Sequence, residues 1–397
     1  MKTQSQRPQM IGEDARIVEV RHWLVRVPFH APIVWGSGVR SGPTRLLCEI
    51  TTAGGAKGYG ETICLLDAIE PVFRNIVAKV AIGKRVDQAE VLHRNVLGAG
   101  YYHHKRAAIM AMCALEMAMW DALGRLSGLS LSQMWGGVYR KSVDFSAYLF
   151  VADPAALKDE AQRFVDRSYR SFKVKIGVDE RSDISLVRAM RETIGDCGLR
   201  ADVNGAWTIG TAKRQLAKLA EYDLSYIEQP LELDDLRGHA HLRSMQPVPV
   251  ALDESAYTLS DVGNIIRDGA ADVVLLDPHE AGGLWPCIKA AAVCEAVGIP
   301  VTLHSGGELG FSQAAYVHLA ASIPNMTISI DTELDYLSDD VTTAPFVMNN
   351  GALAVPTGPG LGVEPDFDKI NKYQVEDIRG AYLDPSRPDW FPVKPAY

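Results

Sequence analysis

Residues 171–176 read Ser-Phe-Lys-Val-Lys-Ile. The apolar Phe172, Val174 and Ile176 alternate with two lysines, which places Lys173 and Lys175 on one face of a strand. Pointing inward, each amine needs a partner or a shifted pKa; the plainer alternative is a strand edge facing solvent. The same layout recurs along the chain. Asp202-Val203-Asn204, Glu228-Gln229-Pro230, Asp253-Glu254-Ser255, Asp277-Pro278-His279 and His304-Ser305-Gly306 each close a short apolar run. Consecutive groups stand roughly 24–29 residues apart, about one strand, loop and helix. In a parallel (β/α) barrel the C-terminal ends of neighbouring strands open into one mouth. These side chains are therefore expected to meet there: three carboxylates for a metal, two lysines and an Asp/His pair.

Eight strand candidates support a closed barrel: 143–148, 171–176, 200–203, 225–227, 250–252, 272–276, 300–303 and 328–330. Amphipathic helices are expected between most of them. Ahead of the barrel, residues 1–14 are expected to be disordered. Residues 17–28 and 44–51 and a third strand near 58–61 form an antiparallel meander, with loop 29–43 inserted. Helical periodicity follows over 67–98 and most strongly over 104–128. The expected organisation is an α+β capping domain at 1–140, a (β/α) barrel carrying the active site at 141–350, and a segment at 351–397 that packs back on the cap.

At 397 residues, 47% hydrophobic and 22% charged, the chain has the composition of a globular protein with room for a barrel and a smaller domain. Its net charge is −9 with acids and bases interspersed, so no basic stripe points to nucleic acid. No run reaches the 18 apolar residues of a membrane span, and the polar first residues lack the apolar core of a signal peptide. A cytoplasmic location is expected. The six cysteines show no CxxC or metal-ligand spacing and read as buried apolar filler.

The ordered set Lys-x-Lys, Asp-x-Asn, Glu-Gln-Pro, Asp-Glu-Ser resembles the enolase superfamily, as does Trp120-Asp121-Ala122-Leu123-Gly124 followed by Gly136-Gly137. The resemblance covers roughly residues 15–370. Muconate-cycloisomerase-like members place a lysine where this chain has Asp277. Asp277 followed by His304 resembles the mandelate racemase branch instead. Asp277-Pro278-His279, Ile330-Asp331-Thr332 and Gly358-Pro359-Gly360-Leu361-Gly362 are similar to glucarate dehydratase and its relatives, in which the third metal position is usually Asn rather than the Asp253-Glu254 found here.

The resemblance implies one Mg²⁺ held by Asp202, Glu228 and Asp253, with Glu254 as the alternative third ligand; a hard dication suits carboxylate oxygens. The plainer reading makes these acids caps of the following helices. Lys175 is implied as a general base and Lys173 as the stabiliser of an enolate oxygen. His304 is implied as the second acid/base, held by Asp277. Glu333 is expected to donate a proton or hydrogen bond to a substrate carboxylate, with Asp331 competing for that role. His279 is expected near the substrate, His103 and His104 at the surface, and Trp35 and Arg45 over the mouth. The implied activity is acid-sugar dehydration to a 2-keto-3-deoxy acid, with racemisation, epimerisation or cycloisomerisation of a small carboxylic acid as the alternative. The implied partners are a sugar-acid substrate and further copies of the chain, with neither nucleic acid nor membrane.

Overall fold

The computed structural model describes residues 12–35, 38–65, 68–99, 101–151, 153–376 and 378. Its first five strands are β1 (Ile17–Arg26), β2 (Ile33–Trp35), β3 (Gly38–Arg40), β4 (Thr44–Thr52) and β5 (Lys57–Ile63). Strands β1, β4 and β5 form an antiparallel sheet in that order, and β2 and β3 pair as a separate hairpin within the stretch expected to be a loop. Order also begins earlier than expected. Glu13–Ala15 forms a 3₁₀ turn, because Ala15 is buried in the cap core.

The helix Tyr101–Ser127 lies across this sheet. Gly58 and Gly60 of β5 make that contact possible: a Cβ on Gly58 would meet Ala118 O at 2.1 Å, and one on Gly60 would meet Ala114 O at 2.0 Å. The helix answers with small residues at Ala114, Ala118 and Ala122, so backbone packs on backbone. Among the described residues, His103–Ser127 is the one helix long and apolar enough to cross a membrane, yet 78% of its apolar window is buried within the protein.

Seven parallel strands follow, each beside its sequence neighbour: β7 (Ala147–Leu149), β8 (Ser171–Lys175), β9 (Gly198–Asp202), β10 (Tyr226–Glu228), β11 (Val250–Leu252), β12 (Val273–Leu276) and β13 (Val301–Leu303). Helices connect successive strands, which buries both faces of the sheet and accounts for its continuous apolar runs. The expected eighth strand is reduced to a bridge. Ile330 pairs with Phe145 and Asp331 N donates to Leu303 O, while the Thr302 hydroxyl takes the Ser329 carbonyl at 3.1 Å. The residues expected as the first barrel strand also split in two. Ser142–Asp144 (β6) leaves the barrel and pairs antiparallel with Ala352–Ala354 (β14).

Five of the outer helices start on their own Asp or Thr cap: Asp153, Asp179, Thr208, Asp235 and Thr258. The last two borrow acids from elsewhere. Glu116 of the long cap helix accepts from Leu284 N and Trp285 N at the start of Leu284–Ala296. Glu61 of β5 accepts from Leu309 N and Ser312 N at the start of Gly310–Ser322, where Gly310 N donates to Asp340. Beyond β14, Leu361 N donates to Asp121 of the cap helix, and Val375 N donates to Leu24 O of β1.

Candidate active site

The barrel ladder brings the charged residues to one level. Lys175 pairs with Asp202, and Asp202 with Glu228, across β8, β9 and β10. Above them opens a cavity of about 390 Å³. Lys175, Asp277, His304 and Glu333 line it, whereas Lys173, Asp202, Glu228 and Asp253 lie buried beneath its floor.

Lys173 and Lys175 share a strand face but sit in different surroundings. Lys173 Nζ is fully buried, 2.6 Å from Glu228, 2.7 Å from Asp331 and 3.1 Å from Asp202, with the Tyr148 ring 4.6 Å away. Burial alone would discharge it, but Asp331 and Glu228 outweigh that effect and hold its pKa well above the ordinary value. It is therefore a fixed cation. Lys175 Nζ donates to Asp202 Oδ2 at 2.5 Å and to Asn204 Oδ1 at 2.7 Å, at the cavity wall. Asp202 is buried yet held well below the usual carboxylate range by Lys175 and Lys173. Burial and the neighbouring Asp202 push Glu228 well up. Burial and Asp253 push Glu254 up to about 7.

Asp277 and His304 do not share the direct hydrogen bond expected from adjacent strand ends. Asp277 accepts from His279 N at 2.7 Å, as the cap of the short helix Pro278–Ala281, and from the Tyr316 hydroxyl at 2.8 Å. His304 Nδ1 instead stands 2.9 Å from Asp253 Oδ2, in a charge contact whose angles fall short of a hydrogen bond. Burial would lower the His304 pKa, but Asp253 outweighs it and raises the value well above 6.5, with Asp277 adding to the effect. Burial lifts Asp277 to about 6 against the pull of His304.

Two further expectations are corrected. Arg45 does not cover the mouth: it is fully buried, bound to Glu61 at 2.6 Å, Gly306 O at 3.1 Å and His279 Nε2 at 2.5 Å. His279, enclosed by that contact, is kept from the cavity, and burial with Arg45 depresses its pKa well below 6.5. Glu333 reaches the cavity, where it accepts from the Arg40 guanidinium, while burial raises its pKa against the pull of Arg40. Asp331 is committed to Lys173 and Arg200. His103 is exposed and His104 only partly so. The Trp35 side chain lies outside the described residues.

Several cavity residues carried no sequence signal of their own: Arg40, Tyr148, Tyr257 and Glu280, and the apolar Ile63, Leu65, Met110 and Phe150. Asn204, Glu254, Ser305 and Gly306 were readable, each within two places of a predicted strand-end residue. Burial, followed by Asp253 and Asp277, pushes the Glu280 pKa well up.

The donor chemistry fits a divalent cation. Glu228 Oε2 and both Asp253 carboxylate oxygens are buried without a hydrogen-bond partner, and such oxygens suit a hard ion. Among the described residues the most compact donor group is a different one, Glu228, His304 and Asp331, with ligand atoms within 4.8 Å of one another. Two cations already occupy Asp331, and a histidine in the set shifts its preference away from Mg²⁺. The all-carboxylate set of Asp202, Glu228 and Asp253 (with Glu254 beside it) is the better match to Mg²⁺.

A capped parallel barrel with charged groups at the C-terminal ends of its strands is the architecture of an enzyme, and comparison with known proteins gives its family. The Enolase C-terminal domain-like family model matches residues 156–369, and the Mandelate racemase / muconate lactonizing enzyme, N-terminal domain model matches residues 17–136. The chain belongs to the mandelate racemase/muconate lactonizing branch of the enolase superfamily. It is similar to the N-succinylamino acid racemase of an Amycolatopsis species, 35% identical over 362 residues, 88% of this chain and 94% of the relative. It is also similar to the "probable glucarate dehydratase" of Streptomyces coelicolor, 31% identical over 376 residues, 85% of this chain and 86% of the relative. The crystal structure of an enolase from Thermobispora bispora complexed with magnesium and formate matches with a TM-score of 0.86 at 28% identity, covering 96% of this chain and 99% of that one.

Proposed function

We propose that this chain is a Mg²⁺-dependent acid-sugar dehydratase. It removes the proton α to a substrate carboxylate and eliminates the β-hydroxyl as water; the resulting enol tautomerises to a 2-keto-3-deoxy acid. The observation that carries this reading is the convergence of Lys175 and His304 on one cavity, above a buried set of carboxylates that includes unpartnered oxygens.

An α-proton beside a carboxylate is too weakly acidic for a neutral amine unless the developing dianion is stabilised. Asp202, Glu228 and Asp253 would hold a Mg²⁺, which when bound would supply Lewis-acid stabilisation of that charge. Lys173, kept cationic by its three carboxylate neighbours, adds a fixed positive charge beneath the floor. Lys175 accepts the α-proton. Protonated His304, whose charged form Asp253 and Asp277 favour, gives its proton to the departing hydroxyl.

A second reading, racemisation or epimerisation, is favoured by Ile63, Leu65, Met110 and Phe150 on the cavity wall. A sugar acid carries a hydroxyl on each carbon and has little use for an apolar wall, whereas an acyl or alkyl substituent has. The relative named as an N-succinylamino acid racemase supports the same reading. Both use Lys175 and His304, so products must separate them. The purified protein with Mg²⁺ is incubated with mono- and diacid sugars, and 2-keto acid is read by semicarbazide absorbance. EDTA-sensitive product is the expected result. Absence of keto acid together with deuterium uptake at Cα in D₂O would replace dehydration with racemisation.

A further inference from the structure

Arg45 of β4 reaches from the cap into the barrel and is fully buried. Its guanidinium meets four groups. Nε donates to Glu61 at 2.6 Å, Nη1 to Gly306 O at 3.1 Å, and Nη2 to His279 Nε2 at 2.5 Å and Ser312 Oγ at 3.3 Å. Two of these partners belong to the strand ends that carry Asp277 and His304. His279 N donates to Asp277 at 2.7 Å, and Gly306 lies two residues past His304. Glu308 holds the same loop from its other side, accepting from Gly306 N at 2.7 Å and from the Ser305 hydroxyl at 2.6 Å.

An arginine side chain offers donors only, so the His279 nitrogen that meets it must be an acceptor. The His279 proton therefore sits on Nδ1. The other side of the ring agrees. Nδ1 stands 3.4 Å from Thr62 Oγ1 and 3.5 Å from Cys113 Sγ. Each of those groups directs its own proton elsewhere: Thr62 donates to Met110 O at 2.7 Å, and Cys113 to Glu61 O at 3.7 Å. Both are left as acceptors for an Nδ1–H.

We propose that Arg45 is a positioning residue for the reaction. It fixes His279 as the Nδ1–H tautomer and ties strand ends 277–279 and 304–308 to the cap, so that docking of the cap orients Asp277 and His304. The proposal rests on the reading of those two residues as acid/base machinery, but not on which reaction follows.

The full-length protein labelled with ¹⁵N-histidine is read by NMR at neutral pH, the His279 signals being those lost in His279→Gln. Wild type is expected to show a protonated Nδ1 and a bare Nε2. Arg45→Lys keeps a cation beside Glu61, but one ammonium cannot span Glu61, Gly306 O and His279. It is expected to release His279 from a single tautomer and to speed amide exchange over 304–308. Activity in Mg²⁺ is read as keto acid from galactarate and as deuterium uptake by N-succinylalanine, and kcat is expected to fall about 10²-fold at unchanged KM. A wild-type His279 protonated on Nε2 overturns the proposal, as does an Arg45→Lys with wild-type tautomer and kcat. Should Arg45→Lys fail to fold, His279→Leu removes the acceptor and leaves Arg45 with Glu61. It is expected to lose kcat in the same way, and His279→Gln, which again presents an acceptor to Arg45, to recover part of it; a His279→Leu as active as wild type overturns the proposal. A wild type inert toward both acids would remove the proposed function, while the tautomer still decides this inference.

Discussion

Lys173 and Lys175 are two residues apart and both bind Asp202, yet their substitution should fail in opposite ways. Lys173 neutralises three carboxylates in a space closed to water. Lys173→Met leaves that charge uncompensated and is expected to cost about 3–5 kcal/mol of stability, read as a lower urea midpoint at pH 7. Lys175 stands at the cavity wall, where losing its amine leaves carboxylate and amide groups near solvent. Lys175→Ala is expected to reduce kcat by about 10²–10⁴ with a urea midpoint close to that of the wild type. An active Lys175→Ala, or a Lys173→Met as stable as the parent, would reverse these roles. The positions of both lysines were legible because alternation on a strand fixes the face. Their different burial was not, because it depends on Asp331 and Glu228 arriving from distant parts of the chain. Arg45 was misjudged, and Arg40 passed over, for a related reason. A lone arginine in a hairpin or strand has no periodicity to betray it, and only the cap's docking decides which one reaches the cavity and which becomes a buried strut.

Helix starts show where local sequence stops being sufficient. Asp179 and Thr258 are visible as caps because the acceptor precedes the helix it serves. Helices 284–296 and 310–322 begin at Leu284 and Gly310 with no such residue, and their acceptors come from Glu116 and Glu61 of the cap. Glu116 also accepts from Trp120 Nε1 at 2.8 Å. Burial pushes its pKa up to about 7, against the opposing pull of the Leu284 and Trp285 amides. Since this folded value lies above the ordinary 4.5, the contribution of Glu116 is complete below about pH 4.5 and is lost as pH rises through 7, by on the order of 3 kcal/mol. Glu116→Gln, which keeps an acceptor but cannot ionise, is expected to flatten that part of the stability–pH profile. Identical wild-type and variant slopes between pH 5 and 8 would show that Glu116 does not ionise there. The eighth strand is the complementary case: the apolar Ile328 and Ile330 marked its place, but the Thr302 hydroxyl took a carbonyl that a ladder would have used.

At the scale of the molecule, the metal question becomes one of linkage. An ion that binds only the folded state at about a hundred times its Kd adds about 2.7 kcal/mol, so Mg²⁺ is expected to raise Tm by several degrees and EDTA to reverse the rise. No response to Mg²⁺ together with a rise in Zn²⁺ would favour the Glu228, His304 and Asp331 group over the three carboxylates. The barrel and the order of its charged strand ends were readable because they repeat a spacing that one βα unit imposes, and the cap because strand alternation gives way to helical periodicity. The Asp253–His304 contact was not readable. It joins strands two places apart, and the curvature of the closed sheet decides whether their side chains meet.

The small ribbon of β6 and β14 bears on how the molecule is made. Residues 142–144 enter the ribosome's exit tunnel long before residues 352–354, which they pair with, and Asp121 waits still longer for Leu361. Through most of translation β6 and Asp121 of the cap helix therefore lack these partners. Chaperone engagement and proteolytic sensitivity should persist until the final stretch of chain has emerged.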